Sequence, residues 1–320
     1  MRITFVGAGA VGGYFGLRMA EAGLDVSFLL RPQSASVLKS RGFRLRSPQG
    51  DFELPDPTVL DGSSDAPAPD VLFFACKAEH VRAAAQLARP LAGPNTVAIP
   101  LQNGVDAPST LGEVLGPERV LGGLSRIFAE RTSPGRIVHM VLPPSIACGE
   151  HRTGRSERVD RIVRHIEGVG GMSIAGSDDI WTDMWIKLLM VCALGASGAA
   201  ARAPVGALLA VPAARALLEA AAEEIAAVGR AHGAKIPWDF VRTQIGRYKY
   251  LPPDTTASMH RDLERGEPSE VNEQLGAVRR YGREAGVPTP VLDALFGALL
   301  PGELKARGQL AFENLPPRDG

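Results

Sequence analysis

A glycine-rich turn near the amino terminus constrains this chain more than any other feature. Arg2 to Val6 is a short β-rich apolar run that leads straight into Gly7-Ala8-Gly9-Ala10-Val11-Gly12. Ala10 to Ala22 then repeats its apolar residues at helical spacing until Gly23 ends the pattern, and Asp25 to Leu30 reads as a second strand. Strand, turn, helix and strand in this order form a βαβ unit, which requires parallel strands and a right-handed crossover. Within such a unit Gly7 permits the tight turn, Gly9 lets backbone approach a pyrophosphate, and Gly12 lets the helix pack closely on the strand. The six residues from Gly7 to Gly12 are therefore a candidate cradle for a dinucleotide, whose phosphates would meet the helix N-terminus. A Rossmann fold without a ligand is the competing reading.

The alternation continues with strands at Val71 to Cys76 and Thr96 to Leu101 and a helix at Ala78 to Ala88, which predicts a doubly wound sheet. From Val120 to Cys148 β-type runs are separated by Pro134-Gly135 and Pro143-Pro144, so antiparallel or edge strands are expected there. Asp61 to Pro69 reads as a loop between strands. Beyond Asp178 nearly every segment carries helical periodicity: Ile180 to Ala200, Ala213 to Ala231, Asp239 to Tyr248, Ser269 to Glu284 and Pro290 to Leu299. The fold class expected is α/β, with an N-terminal Rossmann-type parallel-sheet domain over residues 1–177 and an all-α domain over residues 178–320.

Charge narrows the partners. The 35 basic residues balance the 35 acidic ones, so no global field draws the chain toward nucleic acid or an anionic membrane. Cys76, Cys148 and Cys192 are widely spaced and odd in number, which supports neither a disulfide framework nor a metal site and fits a reducing cytoplasm. The most apolar segment, Trp185 to Ala201, is interrupted by Lys187, Gly195 and Gly198 and stops at Arg202, so it is expected to be a core helix and not a membrane span. The apolar faces of the later helices leave a homodimer open, since sequence does not separate interface from core.

Several side chains fall where chemistry is expected. Arg31 stands nineteen residues after Gly12, where an enzyme selective for NADH would place a carboxylate; an arginine attracts the 2′-phosphate of NADPH instead, although it is equally a surface residue at a strand end. Lys77 follows the strand ending at Cys76, at the carboxyl edge of the sheet where open α/β folds bind ligands, and its plain alternative is a lysine in the first turn of the next helix. Asn103, in Gln102-Asn103-Gly104, lies at the same edge and offers both a donor and an acceptor, yet Asn-Gly is also a common turn pair. Lys187 has Met184, Met190 and Val191 as helical neighbours. A lysine on such a face loses hydration and becomes able to give a proton to a carbonyl oxygen near neutral pH. Snorkelling to solvent with an ion pair to Asp183 is the alternative. Ser269 is expected to cap a helix with Glu270 in its first turn, which by itself explains Glu270 through the helix dipole.

Taken in order, the glycine turn, Arg31, Ala75-Cys76-Lys77-Ala78, Gln102-Asn103-Gly104, Trp185-Ile186-Lys187-Leu188, Ser258-Met259 and Glu270 resemble the ketopantoate reductases, also called 2-dehydropantoate 2-reductases, over essentially the whole chain. The resemblance implies a Rossmann domain and a helical domain with the active site between them, NADP as cofactor, and reduction of a small 2-oxo acid, ketopantoate to pantoate in pantothenate biosynthesis. It implies that Lys187 is the general acid and that Glu270, the other catalytic residue, contacts the cofactor and that lysine. Asn103 would position nicotinamide and substrate, Ser258 would bind substrate, Arg31 and Lys77 would hold the adenosine phosphate end, and backbone near Ala129 would touch the cofactor.

One departure bears on substrate choice. Members of the family carry asparagines four and eight residues after the lysine, where this chain has Val191 and Gly195. Removing partners for a hydroxylated acid weakens discrimination in its favour, so a less polar 2-oxo acid is a second candidate substrate. The competing functions are another hydride-transfer enzyme of the same plan, such as a 3-hydroxy acid or opine dehydrogenase, and a non-catalytic NADPH-binding regulator.

Overall fold

The computed structural model describes residues 1–62, 66–152 and 154–312. The chain forms two compact units, one made of Met1–Gln102 with Asp106–Met184, the other of Asn103–Val105 with the chain from Trp185 onward. The division falls inside a single helix.

The first unit opens with β1 (Arg2–Val6), α1 (Ala10–Glu21), β2 (Asp25–Leu29), α2 (Pro32–Arg41), β3 (Phe43–Arg46), β4 (Phe52–Leu54), β5 (Thr58–Leu60) and β6 (Val71–Phe74). It continues with α3 (Val81–Ala88), β7 (Val97–Pro100), α4 (Ala107–Leu115), β8 (Leu121–Ser133), β9 (Arg136–Glu150), α5 (Glu157–Ile166) and β10 (Ser173–Gly176). Five of these strands form an all-parallel sheet in the order β5-β2-β1-β6-β7, as the βαβ pattern requires. Residues 3–6, 71–74 and 97–100 are buried throughout, because a sheet covered by helices on both faces hides every side chain. Phe28, Phe5 and Phe73, on the three adjacent strands β2, β1 and β6, stack in a row with ring centroids 6.1 and 5.1 Å apart.

The antiparallel strands expected after Val120 are present as β8 and β9, which pair in a second sheet ordered β10-β9-β3-β4, although β9 runs on through Pro143-Pro144 where a break was expected. Elements of the first unit that the periodicity did not reveal are the short strands and the helices α2, α4 and α5. β3 alternates buried Phe43 and Leu45 with exposed arginines over four residues, and α5 is amphipathic but follows a stretch of mixed charge, with Ser156 capping it through the Val159 amide at 3.4 Å. Two thiols lie inside the fold. Burial beside Glu150 pushes Cys148 up to about 12, and burial alone raises Cys192.

The second unit is helical: α6 (Ile180–Ala201), α7 (Val205–Ala210), α8 (Pro212–Ala231), α9 (Phe240–Arg247), α10 (Ser258–Glu264), a π-helical turn at Asn272–Gly276, α11 (Ala277–Ala285) and α12 (Pro290–Ala306). By length and composition α6 could span a membrane, but 67% of its most apolar window is buried within the fold, the mark of a core helix. Trp185 is fully buried and meets His232 and Tyr281, and Glu224 of α8 receives the Val291 and Leu292 amides at 2.9 Å, capping α12 with a charge of favourable sign. The helix expected from Ser269 starts later. The Ser269 hydroxyl donates to Glu303 at 2.5 Å, no helix amide among the described residues donates to it, and the first helical bond runs from the Gln274 amide to the Glu270 carbonyl at 2.9 Å.

Candidate active site

In the first unit, three chain segments leave the parallel sheet at one edge. Val6 of β1 is in register with Leu29 of β2 and with Phe74 of β6, so the glycine turn, Arg31 and the Lys77 loop depart side by side, with the turn in the middle. Gly7 has φ +103°, and a Cβ there would lie 3.0 Å from the Cys76 backbone nitrogen. At Gly12 an added Cβ would fall 2.1 Å from the Gly7 carbonyl oxygen, so only glycine lets α1 pack this close. Gly9 differs: a Cβ there meets nothing within 4 Å, so the fold itself does not demand glycine at this position. What its bare backbone leaves is an approach to the N-terminus of α1, a twelve-residue helix with no side-chain cap and no acidic residue in its first turn. Those features fit a pyrophosphate, which would take the free amides and the positive end of the dipole.

Arg31 and Lys77 are both exposed, and each occupies the position just before a helical turn, with ψ near 147 and 148°. Among the described residues Arg31 has no carboxylate partner. Gln102 steadies this edge: its side-chain amide donates to the Phe74 and Cys76 carbonyls at 2.9 and 3.1 Å and so ties the end of β7 to the loop carrying Lys77. Ala129 sits on β8 opposite His139, at an irregularity in the strand register between Phe128 and Ala129 that interrupts regular pairing.

The second unit gathers the side chains. Lys187 on α6 is 9% exposed, flanked by buried Met184 and Leu188 and half-buried Met190 and Val191. Asp183, its alternative partner by spacing, accepts the Ser177 hydroxyl at 2.6 Å. Asn103 donates its side-chain amide to Oε2 of Glu270 at 3.3 Å, across 167 residues of sequence. The next residue, Gly104, has φ +102° and lies against the Glu273 carbonyl, so the Asn-Gly turn is seated on the start of the π-helical turn. Ser258 is exposed at the first position of α10, while Met259 and His260 behind it are buried; burial lowers the His260 imidazole from its ordinary range, and Arg261 adds to the lowering against the opposing charge of Glu264.

Two features of this half were not singled out in the sequence. Gln274, 1% exposed, also donates to Oε2 of Glu270, at 3.1 Å. Glu303, fully buried on α12, accepts from the backbone and hydroxyl of Ser269 and pairs with Arg307 at 2.5 Å, while Arg307 donates to the Ser269 carbonyl at 2.9 Å. Residue 269, immediately before Glu270, is thereby clamped on both its backbone groups. At Gly195 a Cβ would lie 2.9 Å from Cε of Met259 and 3.3 Å from Cβ of Ala257, so a side chain there would have to displace the end of Met259. No corresponding crowding explains Val191.

A glycine-rich turn on a parallel sheet, flanking cations, and a buried lysine on a helix of a second unit are the features of a dinucleotide-dependent oxidoreductase. Residues 3–153 match the family described as Ketopantoate reductase PanE/ApbA, and residues 179–302 match Ketopantoate reductase PanE/ApbA C terminal. The chain belongs to the ketopantoate reductase family. It is 29% identical to a 2-dehydropantoate 2-reductase of Mesorhizobium japonicum, over 92% of this chain and 95% of the relative. Among solved structures, a PanE/ApbA family ketopantoate reductase from Ralstonia eutropha superposes with TM-score 0.85 at 28% identity, covering 96% of this chain and 100% of the other. A D-mandelate dehydrogenase solved with NADH and anilino(oxo)acetate shares the fold, with TM-score 0.87 at 19% identity over 96% and 99% of the two chains.

Proposed function

We propose that this protein reduces a 2-oxo acid to the 2-hydroxy acid, with ketopantoate the leading substrate and NADPH the reductant, as a soluble cytoplasmic enzyme of pantothenate synthesis. The observation that carries the reading is the amine of Lys187, buried to 9% exposure on an apolar helix face in the same unit as the hydrogen-bonded Asn103 and Glu270. NADPH supplies the hydride when bound. Gly7 to Gly12 would hold its pyrophosphate, and Arg31 with Lys77 its adenosine phosphate end. Lys187 stabilises and protonates the alkoxide oxygen that develops as the ketone is reduced, a task for which partial dehydration suits an amine. Asn103 orients the reacting groups through its amide, with Glu270 fixing the rotamer of that amide, and the Ser258 hydroxyl binds substrate.

The bare backbone at Gly195, where the end of Met259 takes the space a Cβ would need, favours a second reading, in which the preferred 2-oxo acid is less polar than ketopantoate. A spectrophotometric screen of NADPH oxidation against ketopantoate and a series of bulkier, less polar 2-oxo acids separates the two by kcat/KM. NADPH binding with no turnover on any of them would instead identify a non-catalytic binder. The same preparation, weighed by light scattering, tests the homodimer.

A further inference from the structure

We infer that Gln274 is a positioning residue of the active site, holding the Glu270 carboxylate for Asn103. The inference rests on the functional reading above. Gln274 lies in a strip that is otherwise apolar, with Val271, Leu275, Ala277 and Val278 each 0% exposed, where leucine or isoleucine would be the ordinary residue. Its amide nitrogen donates to Oε2 of Glu270 at 3.1 Å, the oxygen that Asn103 reaches at 3.3 Å. The carboxylate fixes which way the amide faces, since turning it over would set two acceptors against each other.

That orientation leaves Oε1 of Gln274 buried with no donor among the described residues. A buried acceptor without a partner opposes folding, so a position shaped by packing alone would not hold this side chain. The amide is explained by what its other end does. Oε2 of Glu270 accepts from N–H donors on two separate segments, one on the turn after β7 and one on the π-helical turn, an element common at functional sites. Glu270 is thereby confined to one rotamer, and Asn103 with it, which is the support a substrate-orienting amide needs.

The test has an arm that does not require turnover. The chain contains four asparagines, so asparagine-selective isotope labelling yields four pairs of side-chain amide signals, and Asn103→Ser identifies the one from Asn103. Gln274→Leu is expected to move that signal, as does Glu270→Gln, in the cofactor-free protein. With the substrate on which wild type is active, Gln274→Leu is expected to lower kcat about tenfold, to leave NADPH affinity within about twofold, and not to lower Tm, because leucine removes the partnerless carbonyl. In a double-mutant cycle the loss disappears on the Glu270→Gln background, since Gln274 acts through Glu270. An Asn103 signal that ignores Gln274→Leu, or rate losses that multiply in the double variant, overturns the inference. Wild type that binds NADPH but reduces no 2-oxo acid sinks the functional reading alone and leaves the spectral arm to decide.

Discussion

The candidate residues of the two units are made of different material. The half that would take the dinucleotide is almost all backbone: a turn with Gly7 at φ +103°, the uncapped end of α1, and three strands whose register makes them end together. The half that would do the chemistry is all side chain, drawn from a turn at Asn103, a helix at Lys187, a short helix at Ser258 and the segment just before the π-helical turn at Glu270. Backbone sites are specified locally, since a dozen neighbouring residues fix the path. Side-chain sites depend on whatever holds distant segments together.

The contrast predicts that the second half is the easier to break from afar. Glu303→Ala leaves Arg307 and both groups of Ser269 without their buried carboxylate and should destabilise the protein by about 3 kcal/mol; urea unfolding measures it, and a loss below about 1 kcal/mol would mean the clamp on residue 269 is dispensable. Lys187→Ala is expected to cut kcat at least about 100-fold with NADPH affinity intact. An unchanged rate removes the lysine from the mechanism and with it the division of labour.

The glycines sharpen the comparison within the first half. Gly12→Ala forces a Cβ onto the Gly7 carbonyl and should cost about 1–3 kcal/mol of stability, whereas Gly9→Ala should leave Tm where it is and weaken NADPH about tenfold, or about 1.4 kcal/mol, because only the ligand needs that space. Equal effects on stability would show that both are packing residues. The smallest effect is expected at exposed Arg31, where replacement by aspartate should shift the NADPH to NADH efficiency ratio by several-fold up to about tenfold. Cofactor efficiencies whose ratio stays put would take the 2′-phosphate away from Arg31.

Legibility in the sequence followed the same divide. β1, α1, β2, β6 and β7 could be read from apolar runs and glycines, because a sheet buried on both faces and a phosphate turn both write themselves into consecutive residues. β3, β4 and β5 could not, being only three or four residues long, too short for an alternation to stand out. Arg31, Lys77, Asn103, Lys187, Ser258 and Glu270 are singled out by their order along the chain, while spacing alone leaves each with an ordinary alternative. Gln274 and Glu303 carry no signal at all: a glutamine or glutamate hidden in a helical interface looks the same in sequence as one on a wet surface. Ser269 misled for a related reason, since a serine before a helix is a sound cap unless something else claims its hydroxyl, and here Glu303 does.

The seating of Asn103–Val105 with the helical unit has a practical corollary for anyone recombining such proteins. A chimera joined at Met184 and Trp185 would pair one parent's helices with the other parent's Asn103 turn, and a fragment beginning at Trp185 would lack that turn entirely. Swapping specificity between relatives therefore calls for transplanting three residues from deep inside the first half along with the second, a discontinuous graft whose seam is invisible to a cut at the apparent border.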